Sequence, residues 1–372
     1  LGAVGYGVAA VPAAAAAVTG LAVAFVFASA AFTQSADSAS SIDPGMLEAE
    51  VAPLSTRSLL LDLASAGSRV VAVGDRGHVL FSDNHAQTWS QAAEVPTQVL
   101  LTAVCFSDER HGIAVGHDET ALVTADAGNT WKRTHYSPEA RQPLLDVLCS
   151  GADAIAVGAY GAYFVSSDRG ETWTERKFEV QKPPAQPASG AGRGQSSVNG
   201  QVAGAAEDDD FDDGLDGDFH LNRIVSASGS RLYIAAEAGH LYRSDDAGAT
   251  WAELPSPYEG SFFGLLPLNG DSLLAFGLRG HLFRSDDGGY NWRQLPTHTQ
   301  AMLNDGVRLP GNGVVIVGLS GAVLVSRDDG ATYTLLQQPD RRGLSAAESL
   351  GVGEIVTVGE AGVKIIAVGS GR

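Results

Sequence analysis

A seven-bladed β-propeller with four-stranded blades follows from three features of the sequence. An eight-residue motif recurs at a period near forty, a Gly-containing hairpin signature precedes it, and the composition is rich in glycine and poor in charge. The motif reads "TADAGNTW" at 124–131, "SSDRGETW" at 166–173, "SDDAGATW" at 244–251, "SDDGGYNW" at 285–292 and "SRDDGATY" at 326–333. A decayed copy, "SDNHAQTW", lies at 82–89. The closing aromatics fall at Trp89, Trp131, Trp173, Trp251, Trp292 and Tyr333, spaced by 42, 42, 78, 41 and 41 residues. The long gap is one period plus an insertion of about 36 residues.

Each copy has a fixed head. "VVAVGDRGHVLFS" at 70–82 is matched at 112, 154, 232, 273 and 314, and a seventh head at 355–367 has no motif after it. Two β-rich apolar runs flank a short turn in each head, which is a hairpin signal. Another apolar run comes before it, and a short segment follows the closing aromatic, giving four strands per unit. Residues 47–372 are expected to form the propeller, with Glu48–Leu54 supplying the outer strand that the seventh blade lacks and so closing the ring. Radial arrangement leaves few exposed sheet edges.

Within the motif, the Asp at the third position is suited to accept turn N–H groups, the Gly permits a left-handed backbone, and the aromatic packs between sheets. Asp126, Trp131, Asp168, Trp173, Asp246, Trp251, Asp287, Trp292, Asp328 and Tyr333 are therefore read as folding residues, with no catalytic role.

Composition limits the partners. A formal charge of −19 over 372 residues opposes binding to nucleic acid or simple adhesion to anionic lipid. Cys105 and Cys149 lie in apolar runs and are read as two buried thiols. Residues 1–36 carry no charge, and "TGLAVAFVFASAA" at 19–31 has the form of a secretory signal, with a membrane anchor as the alternative. The expected location is periplasmic or otherwise extracytoplasmic. No metal site, cofactor or catalytic residue is expected, and the chain is expected to be monomeric in isolation.

The motif Ser-x-Asp-x-Gly-x-Thr-Trp is the Asp-box, or BNR repeat, of sialidase-like propellers. With its "AVG…G" head it resembles the photosystem II stability/assembly factor family and that family's relatives in non-photosynthetic bacteria. The resemblance covers about residues 54–372 outside the insertion. It implies an exported propeller that holds a membrane-protein client during assembly, through arginines on one face and without catalysis. An envelope membrane complex such as a transporter is the client it suggests here. The strong negative charge departs from the family pattern.

Propeller geometry places the second-to-third-strand turns and the interblade connections on one face and the Asp-boxes on the other. The expected binding residues on the first face are Arg76, Tyr136, Arg141, Tyr160, Tyr258, Phe262, Arg279, Met302, Arg341 and Arg342. The insertion, 180–218, reads as a flexible linker followed by "EDDDFDDGLDGD", whose spacing refuses an EF-hand. The rival reading is a sialidase-like glycoside hydrolase or a carbohydrate- or small-molecule-binding propeller. It lacks the early Arg-Ile-Pro signature and any evident Tyr–Glu pairing.

Overall fold

The computed structural model of the chain describes residues 43–181, 219–351 and 353–369. Residues 1–36, expected to be a signal or anchor, and the acidic part of the insertion lie outside the described residues. Among the described residues there are seven sheets, one for each repeat, antiparallel except for one short edge strand. Their inner strands are Leu60–Ala66, Leu101–Phe106, Leu144–Ser150, Leu221–Ser226, Phe262–Pro267, Leu303–Arg308 and Leu344–Ser349. Each pairs with a second strand whose side chains are almost all buried, such as Leu273–Gly277 and Val314–Gly318. Burial on both faces explains why these strands read as continuous Val/Ile/Ala runs and do not alternate.

The seven apolar clusters sit between blades. One joins Val71 and Val73 of blade 1 to Leu101, Val104, Leu122 and Trp131 of blade 2. Another joins Leu60, Leu63, Val70 and Leu80 to Ala346, Val356 and Val358, so blade 7 packs directly on blade 1. Packing brings the ring together there, and among the described residues no strand is shared between the two blades. Among the described residues blade 7 has three strands, Leu344–Ser349, Glu354–Gly359 and Lys364–Ala367. The segment expected to complete it runs elsewhere. Ala49 N donates to the Val95 carbonyl at 2.8 Å, Ala52 N to Gln91 Oε1 at 3.0 Å, and Gln91 Nε2 to the Glu50 carbonyl at 2.8 Å. These partners belong to the outer strand of blade 1 and the connection after it, whose free polar groups satisfy the backbone of 48–54 in place of a blade 7 ladder. The strap begins before residue 47, since Tyr136 donates to Asp43 and Gly45 N donates to Asp43 Oδ1 at 2.9 Å.

The Asp-boxes are turns between the third and fourth strands. In blade 3, Ser166 Oγ donates to Asp168 Oδ1 at 2.8 Å and accepts Gly170 N at 2.9 Å. Thr172 donates to the same carboxylate through its amide at 2.9 Å and its hydroxyl at 2.6 Å. These bonds, the Thr172 hydroxyl foremost, hold Asp168 below the usual carboxylate range. Burial opposes ionisation of Asp328, but the Thr332 and Ser326 donors outweigh it and bring the group down to about 2. The decayed copy keeps the geometry: Asn84 Oδ1 accepts Ser82 Oγ at 3.0 Å and Thr88 N at 2.9 Å. There His85 and Ala86 both take positive φ, 55° and 60°, where the intact boxes place a glycine second.

Each closing aromatic packs into the junction with the preceding blade. Trp131 and Trp251 are 6% and 3% exposed, whereas Trp89, Trp173, Trp292 and Tyr333 are only partly buried at the junction rim. Two corrections concern the sequence around blade 3. Val180–Gln181, placed in the flexible insertion, forms a short parallel strand on the outer edge of blade 4, because Phe178 lodges against Tyr163, Tyr242 and Trp251. The cysteines, read as free thiols, form a disulfide between the inner strands of blades 2 and 3, with a Cα–Cα distance of 5.8 Å.

The register explains the bond. The inner strands start at Leu101 and Leu144, so Cys105 is four residues into its strand and Cys149 five into its own. With a period of two, that odd offset turns the two side chains to opposite faces of their own sheets, and so toward each other across the junction. Reduction of this bridge, or Cys105→Ser, is expected to remove about 2–4 kcal/mol of stability. Urea unfolding with and without a thiol reductant measures this, and coincident curves would show that the bridge contributes nothing.

Candidate functional site

Hydrogen bonds fix the two faces. The turns between first and second strands meet the Asp-boxes: Arg169 N donates to the Ala152 carbonyl at 2.8 Å and Ala247 N to that of Ser230 at 2.9 Å. On the opposite face, the second-to-third-strand turns meet the interblade connections. Gly77 N donates to the Val99 carbonyl at 2.9 Å, Gly161 N to that of Phe219 at 3.0 Å, and Gln338 N to that of Gly321 at 2.9 Å. The expected division of loops between the faces is therefore present. The insertion leaves and rejoins the described chain at Gln181 and Phe219, and Phe219 lies on this second face.

Five of the second-to-third-strand turns share one construction. Asp75–Gly77, Ala159–Gly161, Glu237–Gly239, Leu278–Gly280 and Leu319–Gly321 are single 3-10 turns whose middle residue is left-handed. The glycine that follows is obligatory at Gly280, where a Cβ would collide with the Thr299 carbonyl. The middle residue therefore projects outward from a fixed backbone, whatever its identity. It is Arg76 in blade 1, Tyr160 in blade 3 and Arg279 in blade 5, with φ of 53°, 53° and 57°. Arg141 and Arg341, in the connections, are also left-handed, at 53° and 56°.

Of the ten expected binding residues, Arg76, Arg141, Tyr160, Arg279, Arg341 and Arg342 are exposed. Arg76 has Asp75 at 3.7 Å. Among the described residues no ion-pair partner is found for Arg141, Arg279, Arg341 or Arg342, unlike the buttressed arginines of the Asp-box face such as Arg231, which bridges Asp245 and Asp271. Tyr160 is 54% exposed and stands edge-on to His220.

The other four are less available. Phe262 is fully buried at the start of its strand, against Tyr258 and Phe283, and cannot meet a partner. It begins an inner strand and does not end a connection. Tyr258 is half-buried over His281, with ring centroids 4.3 Å apart. Tyr136 is engaged by Asp43 of the N-terminal strap and by Arg133, whose guanidinium carbon lies 5.0 Å from the ring centroid. Met302 is partly buried.

A second constellation was not legible in the sequence. The third residues of the inner strands line the propeller axis, and there Asp62, Asp146 and Asp305 gather around one arginine, Arg223. Its guanidinium lies 3.5 Å from Asp146 and 3.0 Å from Asp305. The carboxylates also link neighbouring blades: Asp62 accepts Val104 N at 2.9 Å, Asp146 accepts Ile224 N at 2.7 Å, and Asp305 accepts Ala347 N at 2.9 Å. Register shifts after the first residue of every inner strand free the second residue for the same work. Thr102, Asn222 and Asn304 thus reach the carbonyls of Leu144, Phe262 and Leu344, at 2.7, 2.9 and 2.7 Å.

Burial pushes Asp62 up to about 7, only partly offset by Arg223, and burial likewise raises Asp146. Burial opposes the charge on Arg223, but the three carboxylates overcome it and hold the guanidinium ionised. The cluster opens to a cavity of about 460 Å³ whose lining includes Cys105, Cys149 and Glu348. Among the described residues no group of three or more His, Cys, Asp or Glu is placed to hold a metal ion.

Comparison with known proteins follows this geometry. Residues 81–206 match the family model described as "Photosynthesis system II assembly factor YCF48". Among solved structures, YCF48 bound to a D1 peptide superposes with a TM-score of 0.61 at 17% identity, covering 84% of this chain and 94% of that one. YCF48 from Cyanidioschyzon merolae gives 0.59 at 15% identity, covering 86% and 97%. The WD40 propeller domain of Doa1 gives the same 0.59 at 13% identity, covering 86% and 95%, so these superpositions speak to the fold. No curated protein matches the sequence. Over residues 81–206 the chain is thus similar to the photosystem II assembly factor YCF48 family, and its seven sheets share the propeller fold of the solved YCF48 structures.

Proposed function

We propose that the chain is a non-catalytic adaptor that binds a protein client of the cell envelope through the face carrying its interblade connections. The observation that carries this reading is the set of exposed arginines, Arg141, Arg279, Arg341 and Arg342, that find no ion-pair partner among the described residues, on the face that also carries Tyr160. In a chain of net charge −19, exposed cations that no described residue pairs on one face favour a partner with acidic or polar groups there. The solved YCF48 with its D1 peptide supports a polypeptide client for this kind of propeller. Asp62, Asp146 and Asp305, which meet in space, are taken up by backbone amides and Arg223, an arrangement suited to joining blades. An oxidising, extracytoplasmic location accords with the Cys105–Cys149 disulfide and with the uncharged leader. A membrane complex such as a transporter is the client we favour, with the propeller itself monomeric.

Affinity purification from membranes in mild detergent, followed by mass spectrometry, tests the proposal. One membrane protein is expected with the native chain, reduced at least about tenfold when Arg341 and Arg342 are both changed to Glu. Recovery of no membrane protein would refute the adaptor, and undiminished recovery with the double variant would refute the face.

A further inference from the structure

Three blades carry a histidine at one repeat position, immediately before the third strand: His78, His240 and His281. The chain satisfies two of them. His78 Nδ1 lies 3.0 Å from Ser58 Oγ, and His240 Nδ1 lies 2.6 Å from the Glu253 carboxylate. Glu253 is the second residue after the Asp-box tryptophan Trp251. In blade 5 the second residue after Trp292 is Gln294, so the carboxylate is missing. Among the described residues His281 Nδ1, a buried atom, has no hydrogen-bond partner. Tyr258 packs against the ring, with centroids 4.3 Å apart and planes tilted by 60°.

A cleft of about 390 Å³ opens beside this histidine, lined by His281, Gln294, Thr297, Gln300 and Arg279. No acid is among its lining residues, and Arg279 stands at the cleft exposed, without an ion-pair partner among the described residues. Arg279, His281, Gln294 and Gln300 line this one cleft, at the repeat position where blade 4 carries Glu253 against His240.

We propose that this cleft binds a carboxylate group of the client, seated against His281 and Arg279 where Glu253 sits against His240 in blade 4. The proposal rests on the reading of this face as the client-binding one, and it names the chemistry of one contact. Charge-assisted bonds from a guanidinium and an imidazole suit a planar carboxylate. The carboxylate comes from a chain terminus or from an Asp or Glu side chain.

The test is histidine-selective NMR on the full chain, with His281 identified by the signal lost in His281→Gln. Sodium acetate is titrated at constant ionic strength. The His281 signal is expected to shift saturably while those of His78 and His240 stay in place. Arg279→Gln is expected to weaken the apparent affinity at least about tenfold. Gln294→Glu supplies the carboxylate from within, as in blade 4, and is expected to place the His281 signal near its acetate-saturated position and abolish the response.

Three short peptides distinguish the sources: one with a free terminal carboxylate, the same one amidated, and an amidated one with an internal Glu. A His281 signal that never moves, that moves equally in Arg279→Gln, or that responds to inorganic phosphate as strongly as to acetate, overturns the assignment. Because the titration needs no client, an intact acetate response with no client recovered fails the adaptor reading alone. Recovery of a client with no acetate response fails the cleft alone.

Discussion

Trp251→Ala is expected to lower stability by about 3–5 kcal/mol, the range for removing a large buried aromatic. The ring is 3% exposed and fills the junction of blades 3 and 4 among Ile155, Val157, Leu232 and Ile234. Tyr163 meets it edge-on with centroids 6.2 Å apart, and Trp251 Nε1 donates to the Tyr163 hydroxyl at 3.3 Å, which donates in turn to the Gly248 carbonyl at 3.0 Å. The indole therefore ties the turn of one blade to the neighbouring blade. Trp251→Phe keeps most of the apolar contact and gives up the indole hydrogen bond, so its cost is expected near 1 kcal/mol. Trp173→Ala should fall between the two, since that ring is only partly buried and its Nε1 reaches Thr134 Oγ1 at 3.4 Å. Urea unfolding of the three variants measures the order. Equal losses for Trp251→Ala and Trp173→Ala would show that junction burial does not set the aromatic's contribution.

The repeat made the blades legible because an Asp-box is a local structure: a carboxylate, a hydroxyl and a left-handed glycine within eight residues specify it without reference to the rest of the chain. The division of loops between faces followed from strand order alone. Features that arise between blades were hidden. Asp62, Asp146, Arg223 and Asp305 occupy one repeat position, but Ala103, Gly264 and Ala346 share it, so no pattern of charge marks the axis. The disulfide depends on an offset of one residue between two inner strands, finer than any reading of the period. Phe262 was misplaced for a similar reason, since strand starts read from sequence are uncertain by about two to four residues. The free edge of blade 7 and the strap across blades 1 and 2 are choices between equally extended backbone partners, on which the pattern of residue types is silent.

The axial cluster makes the largest prediction about charge. Arg223→Met would leave Asp62, Asp146 and Asp305 without their cation in the interior, and breaking a buried pair from one side typically costs about 3–5 kcal/mol. Lowering the pH should restore much of that loss, because protonation removes the uncompensated charge. The native chain is expected to show a milder form of the same dependence. Asp62 titrates near 7 in the folded state, against an ordinary value of 3.8, so folding favours its protonated form. Its contribution is then fully present below about pH 4 and is lost as pH rises through 7, with an upper bound of about 4 kcal/mol.

The Asp-box carboxylates act with the opposite sign. Asp328, held near 2, contributes stability that is present above its ordinary value and lost as pH falls toward 2. Stability should therefore peak near pH 4, fall as pH rises from there to about 7, where the Asp62 contribution is exhausted, and fall again toward pH 2. Asp62→Asn separates the axial cause from general repulsion in a chain of net charge −19, since the amide oxygen can still accept Val104 N while carrying no charge. Unfolding followed from pH 5 to pH 9 should give a slope that flattens in Asp62→Asn and steepens in Arg223→Met. If the slope is unchanged in Asp62→Asn, the fall in stability comes from the surface charge, and the axial carboxylates are not what the ring answers to.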